Sequence, residues 1–374
     1  MNETILLTGA TGTVGRSLVP ILAERDDVEK VYLLLRKPAD TPDFDRPGSN
    51  RMMPASGDIS AGGQLGLDAP WSEEIAEHVT VIIHGAADTG FSAPLAELRA
   101  VNVEGTKNIL TFAAHCPRLR AIACLSTVHV AGKRTGLIEE EFMEHSAGFV
   151  NGYEQSKYEA ELLLREKMKD LPISVLRLST VLGDSGTGQV AKLAAIHQGL
   201  RLYYHSLAPM IPGSPSSPVD LIASDYAAAA IAHLAIAQFS AGRVFHLCGG
   251  RDVLSLDELL RLTHDAFTRY RPSWRKRSIA MPTIVALPTF ELFARSVQAV
   301  GDNLLRHSVD VIACFAPQLA YPKSFEDGAC MRVLASLATK KPRILDFYPK
   351  IVQWLVESGW ADRNVATTVE AVAS

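Results

Sequence analysis

The chain has little net charge, few cysteines and no long uninterrupted apolar run, and each absence excludes a class of protein. A formal net charge of −4 over 374 residues argues against a protein that coats nucleic acid. The five cysteines are scattered and form no Cys-x-x-Cys pair, so we expect reduced thiols, a cytoplasmic location, and neither a disulfide framework nor a metal site. The most apolar stretch, 279–300, is interrupted by prolines and charged residues, so we expect no membrane span.

The chain also lacks internal repeats, low-complexity tracts and a signal peptide. Its first apolar run, Thr4 to Leu7, begins without a basic region or a cleavage site before it, which is unlike a secretory leader. Apolar residues make up 47% of the sequence. This is enough for one large domain with an appended lobe, or for two domains.

The first half of the chain alternates short apolar β-type runs with helical patterns. Such alternation predicts an α/β fold with a doubly wound parallel sheet, the Rossmann arrangement, covered by helices on both faces. Helices are predicted at 15–25, 93–115 and 152–169. Strands are predicted at 5–8, 31–35, 51–56, 79–84, 121–125 and 173–178.

The second half predicts a smaller and mostly helical lobe. A loop rich in proline, serine and glycine at 205–220 precedes an alanine-rich helix at 221–237 and a short strand at 244–247. We therefore assign residues 1–200 to a dinucleotide-binding domain, to which 221–250 returns. Residues 201–220 and 251–374 form the predicted substrate-binding lobe.

A glycine-rich turn follows the first predicted strand and opens the first helix. Glycine permits a tight turn, close approach of the backbone to phosphate and close helix–strand packing. The start of the helix presents free N–H groups to an anion. A glycine turn without a ligand is the alternative. We expect the pyrophosphate of a dinucleotide to lie against Gly9, Thr11, Gly12, Thr13, Val14 and Gly15.

The tip of the second strand carries Arg36, where an NAD enzyme usually has an aspartate or glutamate. A guanidinium cannot accept a hydrogen bond from a ribose hydroxyl, but it can clamp a 2′-phosphate. We therefore expect NADPH (NADP⁺) as the cofactor. The alternative is a solvated basic strand end in which Arg36 binds nothing.

Two further loops fit the adenine and ribose end of a dinucleotide. Asp58 and Ile59 follow the third strand, where the carboxylate could accept a hydrogen bond from the adenine amine. Small residues follow the fourth strand and would let the dinucleotide lie against the backbone. These are Gly85, Ala86 and Ala87. Either loop could instead be a simple strand-ending turn.

The candidate catalytic pair is Tyr153 and Lys157, which are four residues apart and so share a helix face. Free tyrosine titrates at about pH 10. We expect the neighbouring ammonium, together with the positive ring of the cofactor, to lower the pKa of the phenol. The lysine can also hold the nicotinamide ribose. Tyr-x-x-x-Lys occurs by chance in many helices, so its weight comes from its place after the fifth strand.

A Ser-Thr pair, Ser126 and Thr127, ends the fifth strand, where ligands of open α/β sheets collect. A hydroxyl there can hydrogen-bond a substrate carbonyl, and we favour Thr127 with Ser126 behind it. The alternative is a pair of hydroxyls satisfied at the strand end. Asn102 and His129 stay outside this core set.

Together these motifs resemble the extended short-chain dehydrogenase/reductases. Within them the chain is most similar to the thioester reductase and fatty acyl-CoA reductase branch, whose cofactor domain is called male sterility-like. The Gly-x-x-Gly-x-x-Gly spacing of the turn is typical of that superfamily. The resemblance covers about residues 4 to 260 and rests on the segments 8–15, 34–36, 57–58, 84–87, 102–106, 126–127, 152–161, 176–179, 183–188 and 218–220.

The resemblance implies a catalytic trio of Thr127, Tyr153 and Lys157, and it places Ser179, with the loop 179–182, beside the nicotinamide carboxamide. It implies an NADPH-dependent oxidoreductase that reduces a carbonyl, either an acyl thioester of CoA or of a carrier protein, or a ketone or aldehyde. Because Met1 stands almost at the first strand, we expect an acyl thioester to arrive in trans. Extended members of the superfamily are often dimers, so a homodimer is also implied.

Two other functions fit the same scaffold. Nucleotide-sugar epimerases and dehydratases retain an oxidised cofactor and usually have an acid where Arg36 stands. Redox-sensing dinucleotide binders typically lack the tyrosine or the lysine. A basic cluster at 269–277 could receive CoA phosphates or an acidic carrier protein, or could be an ordinary solvated surface.

Overall fold

The centre of this computed structural model, which describes residues 2–37, 48–277 and 279–360, is a seven-stranded parallel sheet. Its strands are β1 Glu3–Thr8, β2 Val28–Leu35, β3 Met52–Ser56, β4 Val81–His84, β5 Ala121–Thr127, β7 Ile173–Leu178 and β12 Val244–Leu247. The strand order is β12-β7-β5-β4-β1-β2-β3, and every neighbouring pair is parallel. The order reverses beside β1, which confirms the predicted doubly wound α/β sheet.

Helices cross over between the strands and continue into the C-terminal part. They are α1 Thr13–Ala23, α2 Ala69–His78, α3 Leu95–Asn102, α4 Glu104–Ala113, α5 Gly152–Lys167, α6 Ala195–Tyr204, α7 Ser224–Ala232, α8 Leu256–Tyr270, α9 Pro272–Arg275, α10 Leu287–Val300, α11 Asn303–Phe315, α12 Gly328–Val333 and α13 Ile344–Glu357. The short strands are β6 Gly136–Ile138, β8 Thr180–Val181, β9 Met210–Pro212, β10 Pro218–Val219, β11 Leu221–Ile222, β13 Leu254–Ser255, β14 Thr283–Val285 and β15 Lys323–Phe325.

The sheet is buried on both faces because successive side chains of its strands point to opposite layers. On β1, Leu6 packs into a core formed with α2 and α4, whereas Ile5 and Leu7 pack into a core formed with α1 and α7. The second core is continuous with buried residues of α8 and α13. The C-terminal helices are therefore packed onto the cofactor-type sheet through a shared apolar interior.

Three predicted elements differ from the observed ones. The helix predicted at 93–115 is two helices, α3 and α4, interrupted next to Asn102, whose buried side chain is bound to the backbone of Asp88. Strand β5 runs two residues beyond the predicted 121–125, because its end pairs with β7. The helix predicted at 221–237 begins instead with β11, which pairs with β8, before α7 and a π-helical turn.

A small parallel pair of strands joins the C-terminal part to the loop that follows β5. Strand β15 pairs with β6, and Lys323 lies opposite Gly136. This pairing brings the segment 318–325 to the same end of the sheet as Thr127. The predicted division into domains is not decided by these contacts, and residues 361–374 of the predicted lobe lie outside the described residues. Among the described residues, no helix is both long and apolar enough to cross a membrane.

Candidate active site

A cavity of about 560 Å³ opens at the carboxyl ends of the central strands. Four parts of the chain form its walls: the glycine turn after β1, the end of β5, the start of α5, and C-terminal residues of α8, α11 and β15. Crevices at this edge of an open α/β sheet are where ligands bind.

Two glycines of the turn are required by close packing of the backbone. Gly9 has φ +83°, and a Cβ there would lie 2.5 Å from the carbonyl carbon of Gly85. At Gly15 a Cβ would lie 2.1 Å from the oxygen of Gly9. Gly12 differs, because a Cβ there would meet no protein atom closer than 3.3 Å. The turn therefore packs tightly against the protein at its two ends and is open at its centre, towards the cavity.

Helix α1 begins at this opening with the chemistry of an anion site. Its N-cap residue is Gly12, which has no side chain to cap the helix, and its first turn carries no acidic residue. The first N–H groups of the helix and its positive dipole end are thus left for an external acceptor. Arg16 braces the turn from behind, because its Nε donates to the carbonyl of Thr11 at 3.0 Å. These groups fit the pyrophosphate of a dinucleotide.

The structure brings most of the sequence-predicted site residues to the cavity wall. These are Gly9, Gly12, Thr13, Val14, Gly15, Gly85, Ala87, Thr127, Tyr153, Lys157 and Ser179. The roles assigned to them from the sequence remain predictions.

The other predicted cofactor residues do not line the cavity. Thr11 contributes its carbonyl to the turn, and Arg36 is exposed at the end of β2. Asp58 accepts a hydrogen bond from the backbone N–H of Ser60 at 2.8 Å. Ile59 is buried against α4, and Ala86 donates its N–H to the hydroxyl of Thr8 at 3.0 Å.

Tyr153 lies at the start of α5, one residue inside the helix. The ring packs edge-on against Phe91, with the ring centroids 5.3 Å apart. Burial raises the pKa of the phenol to about 12, and a hydrogen bond with the side chain of Thr127 opposes only part of that rise. In the protein alone the balance is therefore the reverse of the lowering that we expected, because burial dominates. A phenol with this pKa is protonated at neutral pH and is available as a proton donor.

Lys157 lies one turn further along α5, and only 6% of its surface is exposed. Its ammonium donates to the carbonyl oxygen of Leu125 at 3.0 Å. Burial lowers the pKa of the amine, while the nearby Cys124 and Glu161 oppose that change. Asn102 does not contact the lysine: its amide is bound to Asp88 and to the hydroxyl of Ser156.

The two hydroxyls at the end of β5 have different partners. The hydroxyl of Ser126 donates to the carboxylate of Glu161 at 2.6 Å, and Glu161 forms a fully buried ion pair with Arg177 at 2.7 Å. The hydroxyl of Ser126 is thus held by a structural network. The hydroxyl of Thr127 is the one beside the phenol of Tyr153.

Sequence reasoning missed a polar cluster on the substrate side of the cavity, formed by Glu154, Gln318 and Lys323. All three line the cavity with Tyr153. The carboxylate of Glu154 accepts from the N–H of Val150 at 2.9 Å and from the amide of Gln318. The ammonium of Lys323 donates to Gln318 Oε1 at 2.9 Å and to the carbonyl of Gly132 at 2.5 Å. The cluster therefore ties the C-terminal part to the start of α5.

The cluster is charged at neutral pH and poised to exchange protons. Burial raises the pKa of Glu154 to about 7 and lowers the pKa of Lys323 to about 8. His129 also lines the cavity, and burial together with the charge of Lys323 lowers its pKa to about 4, so its ring is neutral. No local sequence motif marks Gln318 or Lys323. The adjacency of Glu154 to Tyr153 was the one available signal.

The remainder of the cavity is an apolar chamber built by three helix faces. Its walls are Ile196, Gly199, Leu200 and Tyr203 of α6, Leu256, Leu259, Leu260 and Thr263 of α8, and Ile312 and Phe315 of α11. The polar side chains among these residues are satisfied by other residues of the protein. The hydroxyl of Thr263 lies 2.6 Å from that of Tyr348, and the hydroxyl of Tyr203 lies 2.8 Å from His264 Nδ1. This chamber suits an apolar group.

Known proteins resemble this chain in sequence and fold. The family described as male sterility protein matches residues 7–231. Linear gramicidin synthase of Brevibacillus parabrevis is 29% identical over 267 residues, which cover 66% of this chain and 5% of that protein. Aldehyde reductase lnbA of Aspergillus flavus is 25% identical over 330 residues, which cover 78% of this chain and 32% of that protein. The chain thus spans a third or less of the length of these relatives.

Solved structures give the same answer for the fold. The terminal R domain from the myxalamid PKS-NRPS biosynthetic pathway superimposes with a TM-score of 0.78 at 25% identity, covering 96% of this chain and 92% of that one. A thiolation-reductase di-domain from an archaeal non-ribosomal peptide synthetase superimposes with a TM-score of 0.72 at 21% identity, covering 96% and 76%. Because the family match extends over more than half of the sequence, the chain belongs to the male sterility protein family.

Proposed function

We propose that this NAD(P)-dependent oxidoreductase uses NADPH to reduce an acyl thioester to an aldehyde and, in a second round, to an alcohol. The observation that carries the proposal is one cavity that joins the open start of α1 to the phenol of Tyr153, with Thr127 beside it. A ketone or aldehyde substrate would use the same residues. The thioester is favoured by the likeness to the R domain of the myxalamid pathway.

The residues of the chain divide the work of carbonyl reduction. A bound NADPH supplies hydride to the carbonyl carbon. The phenol of Tyr153 donates its proton to the carbonyl oxygen, and the hydroxyl of Thr127 holds that oxygen by a hydrogen bond. The ammonium of Lys157 is fixed one helical turn away by Leu125, where it can orient the ribose and stabilise the phenolate that the proton transfer leaves.

The acyl part of the substrate is assigned to the apolar chamber of α6, α8 and α11. Its wall offers methyl, methylene and aromatic surface, which favours a hydrocarbon group over a sugar. The nucleotide-sugar epimerase alternative is disfavoured for this reason and by the family match.

NADPH is preferred over NADH because of Arg36, and the thioester is presented by CoA or a carrier protein that arrives in trans. The exposed side chains of Arg269, Arg271, Lys276 and Arg277 support contact with phosphates or an acidic partner, while that of Arg275 lies outside the described residues. We extend the proposal to a cytoplasmic homodimer. The cysteines are free thiols, and four of them are buried, which suits a reducing compartment.

The decisive experiment is turnover of the purified protein with NADPH and an acyl-CoA or acyl-pantetheine. The proposal predicts loss of NADPH absorbance with release of thiol and formation of aldehyde or alcohol. A protein that retains NAD⁺ tightly and consumes no NADPH with any thioester, ketone or aldehyde would instead be an epimerase-type enzyme.

A further inference from the structure

The cluster of Glu154, Gln318 and Lys323 has no part in the proton donation described above, although it shares the cavity with Tyr153. Lys323 is the unusual member, because a lysine with only 8% of its surface exposed is expensive to keep charged without partners. Two of the three N–H groups of its ammonium are used within the described part of the chain, on Gln318 and Gly132. One donor is left for a ligand in the cavity.

The position of Lys323 is set by both segments that carry the proposed catalytic residues. Its acceptor Gly132 follows the 3-10 turn Val128–Ala131, which begins directly after Thr127. Its other acceptor, Gln318, is bound to Glu154, the residue after Tyr153. The pairing of β15 with β6 fixes the backbone. The ammonium is thus built into the substrate side of the crevice by residues from two distant parts of the chain.

Thioester reduction poses a proton problem that carbonyl reduction of an aldehyde does not. The first step leaves a thiohemiacetal and a phenolate at Tyr153. To form the aldehyde, the C–S bond must break, its electron pair must go to sulfur, and the hydroxyl must lose its proton. The phenolate of Tyr153 can take that hydroxyl proton. A second group must protonate the thiolate, because alkyl thiols titrate at about pH 8.5.

We propose that Lys323 is the acid that protonates the departing thiolate, and that Glu154, acting through Gln318, is the positioning residue that holds it. This rests on the proposed function. The proton moves from Lys323 Nζ to sulfur, the hydroxyl proton moves to Tyr153, and the neutral amine regains a proton from solvent. The sum is one thioester, one NADPH and one proton converted to aldehyde, thiol and NADP⁺. A lysine whose pKa burial has lowered to about 8 matches the acidity of the leaving thiol.

The test is a single turnover of Lys323→Met in which NADPH oxidation and thiol release are followed separately. We expect NADPH oxidation within about twofold of the wild-type rate and thiol release slowed roughly a hundredfold, a usual contribution of a general acid. Aldehyde reduction should be unchanged, since it has no thiolate to protonate. Thiol release that keeps pace with NADPH oxidation in the variant, or equal slowing of both steps, overturns the proposal.

Lys133→Met is the matched control. Lys133 and Lys323 both lie 6.0 Å from the ring centroid of Tyr321, and the charges of both lower the pKa of Glu154, but Lys133 does not line the cavity. The control should release thiol at the wild-type rate. If wild-type protein oxidises no NADPH with a thioester, it is the proposed function that fails, which is a different outcome from any result with the variants.

Lys323→Arg keeps the positive charge and serves if the methionine variant does not fold. A guanidinium is not an acid at neutral pH, so thiol release from an alkyl thioester should still lag behind NADPH oxidation. The lag should shrink with an aromatic thioester, whose thiolate leaves without a proton. A lag that is the same for alkyl and aromatic thioesters would assign the residue a purely structural role.

Discussion

Replacing the phenol of Tyr153 by a phenyl ring separates proton donation from cofactor binding. Tyr153→Phe removes the proposed acid but keeps the ring against Phe91, at a centroid separation of 5.3 Å. General acids contribute about 10²–10⁴-fold to a rate. We therefore expect kcat for thioester and aldehyde reduction to fall by at least roughly a hundredfold. The lost hydrogen bond with Thr127 should cost about 1 kcal/mol of stability.

The same variant should bind NADPH as the wild type does. The N–H groups at the start of α1 are untouched, so the free energy of NADPH binding should change by less than about 0.4 kcal/mol, roughly twofold in the dissociation constant. The assay pairs steady-state NADPH oxidation with fluorescence titration of NADPH.

Tyr158→Phe provides the control for that prediction. Tyr158 lies on the same helix and packs against His145 and Phe149, at centroid separations of 4.9 and 5.3 Å, outside the cavity wall. Its variant should keep wild-type turnover. A Tyr153→Phe enzyme with turnover within twofold of wild type would refute the assignment of the phenol as the proton donor.

Three further predictions concern the cofactor turn, the coenzyme preference and acid stability. Gly12→Ala should fold normally but weaken NADPH binding, because its Cβ would enter open space, whereas Gly15→Ala should lower the melting temperature, because its Cβ would lie 2.1 Å from a backbone oxygen; calorimetry and NADPH titration distinguish them, and equal melting temperatures would contradict the reasoning. Arg36→Ala should weaken NADPH binding by about 1.5–3 kcal/mol and leave NADH binding unchanged, and equal loss for both coenzymes would mean that Arg36 does not contact a 2′-phosphate. Burial lowers the pKa of His84 to about 3, below the unfolded value of 6.5, so this residue's contribution to stability is complete above pH 6.5 and is lost as pH falls towards 3; urea unfolding of His84→Gln should show a shallower decline between pH 6.5 and 4 than wild type, and parallel curves would contradict this.

The sequence was sufficient for the parts of the molecule that local patterns determine. The glycine turn, the strands of the sheet and the start of α5 follow from short-range chemistry, and the predicted 173–178 and 244–247 coincide with β7 and β12. The end of β5 was predicted two residues early because Ser126 and Thr127 are polar. Their backbone pairing with β7 outweighs that composition.

The remainder of the site depends on contacts between distant parts of the chain. Gln318 and Lys323 reach Glu154 and Gly132 across more than 160 residues, and no local motif marks them. The pKa of Tyr153 also escaped prediction, because burial by neighbouring elements outweighs the nearby ammonium that the spacing revealed. Helix faces that lie side by side in α6 and α8 form the apolar chamber, which periodicity alone identifies only as core.

The most direct measurement of the central claim uses NADPH that carries deuterium at its transferable position, with an acyl-pantetheine as substrate. If the cavity brings the cofactor to the carbonyl beside Tyr153, mass spectrometry will find one deuterium on the aldehyde carbon for each thiol released. Unlabelled aldehyde, or thiol released while the labelled NADPH remains intact, would contradict the account.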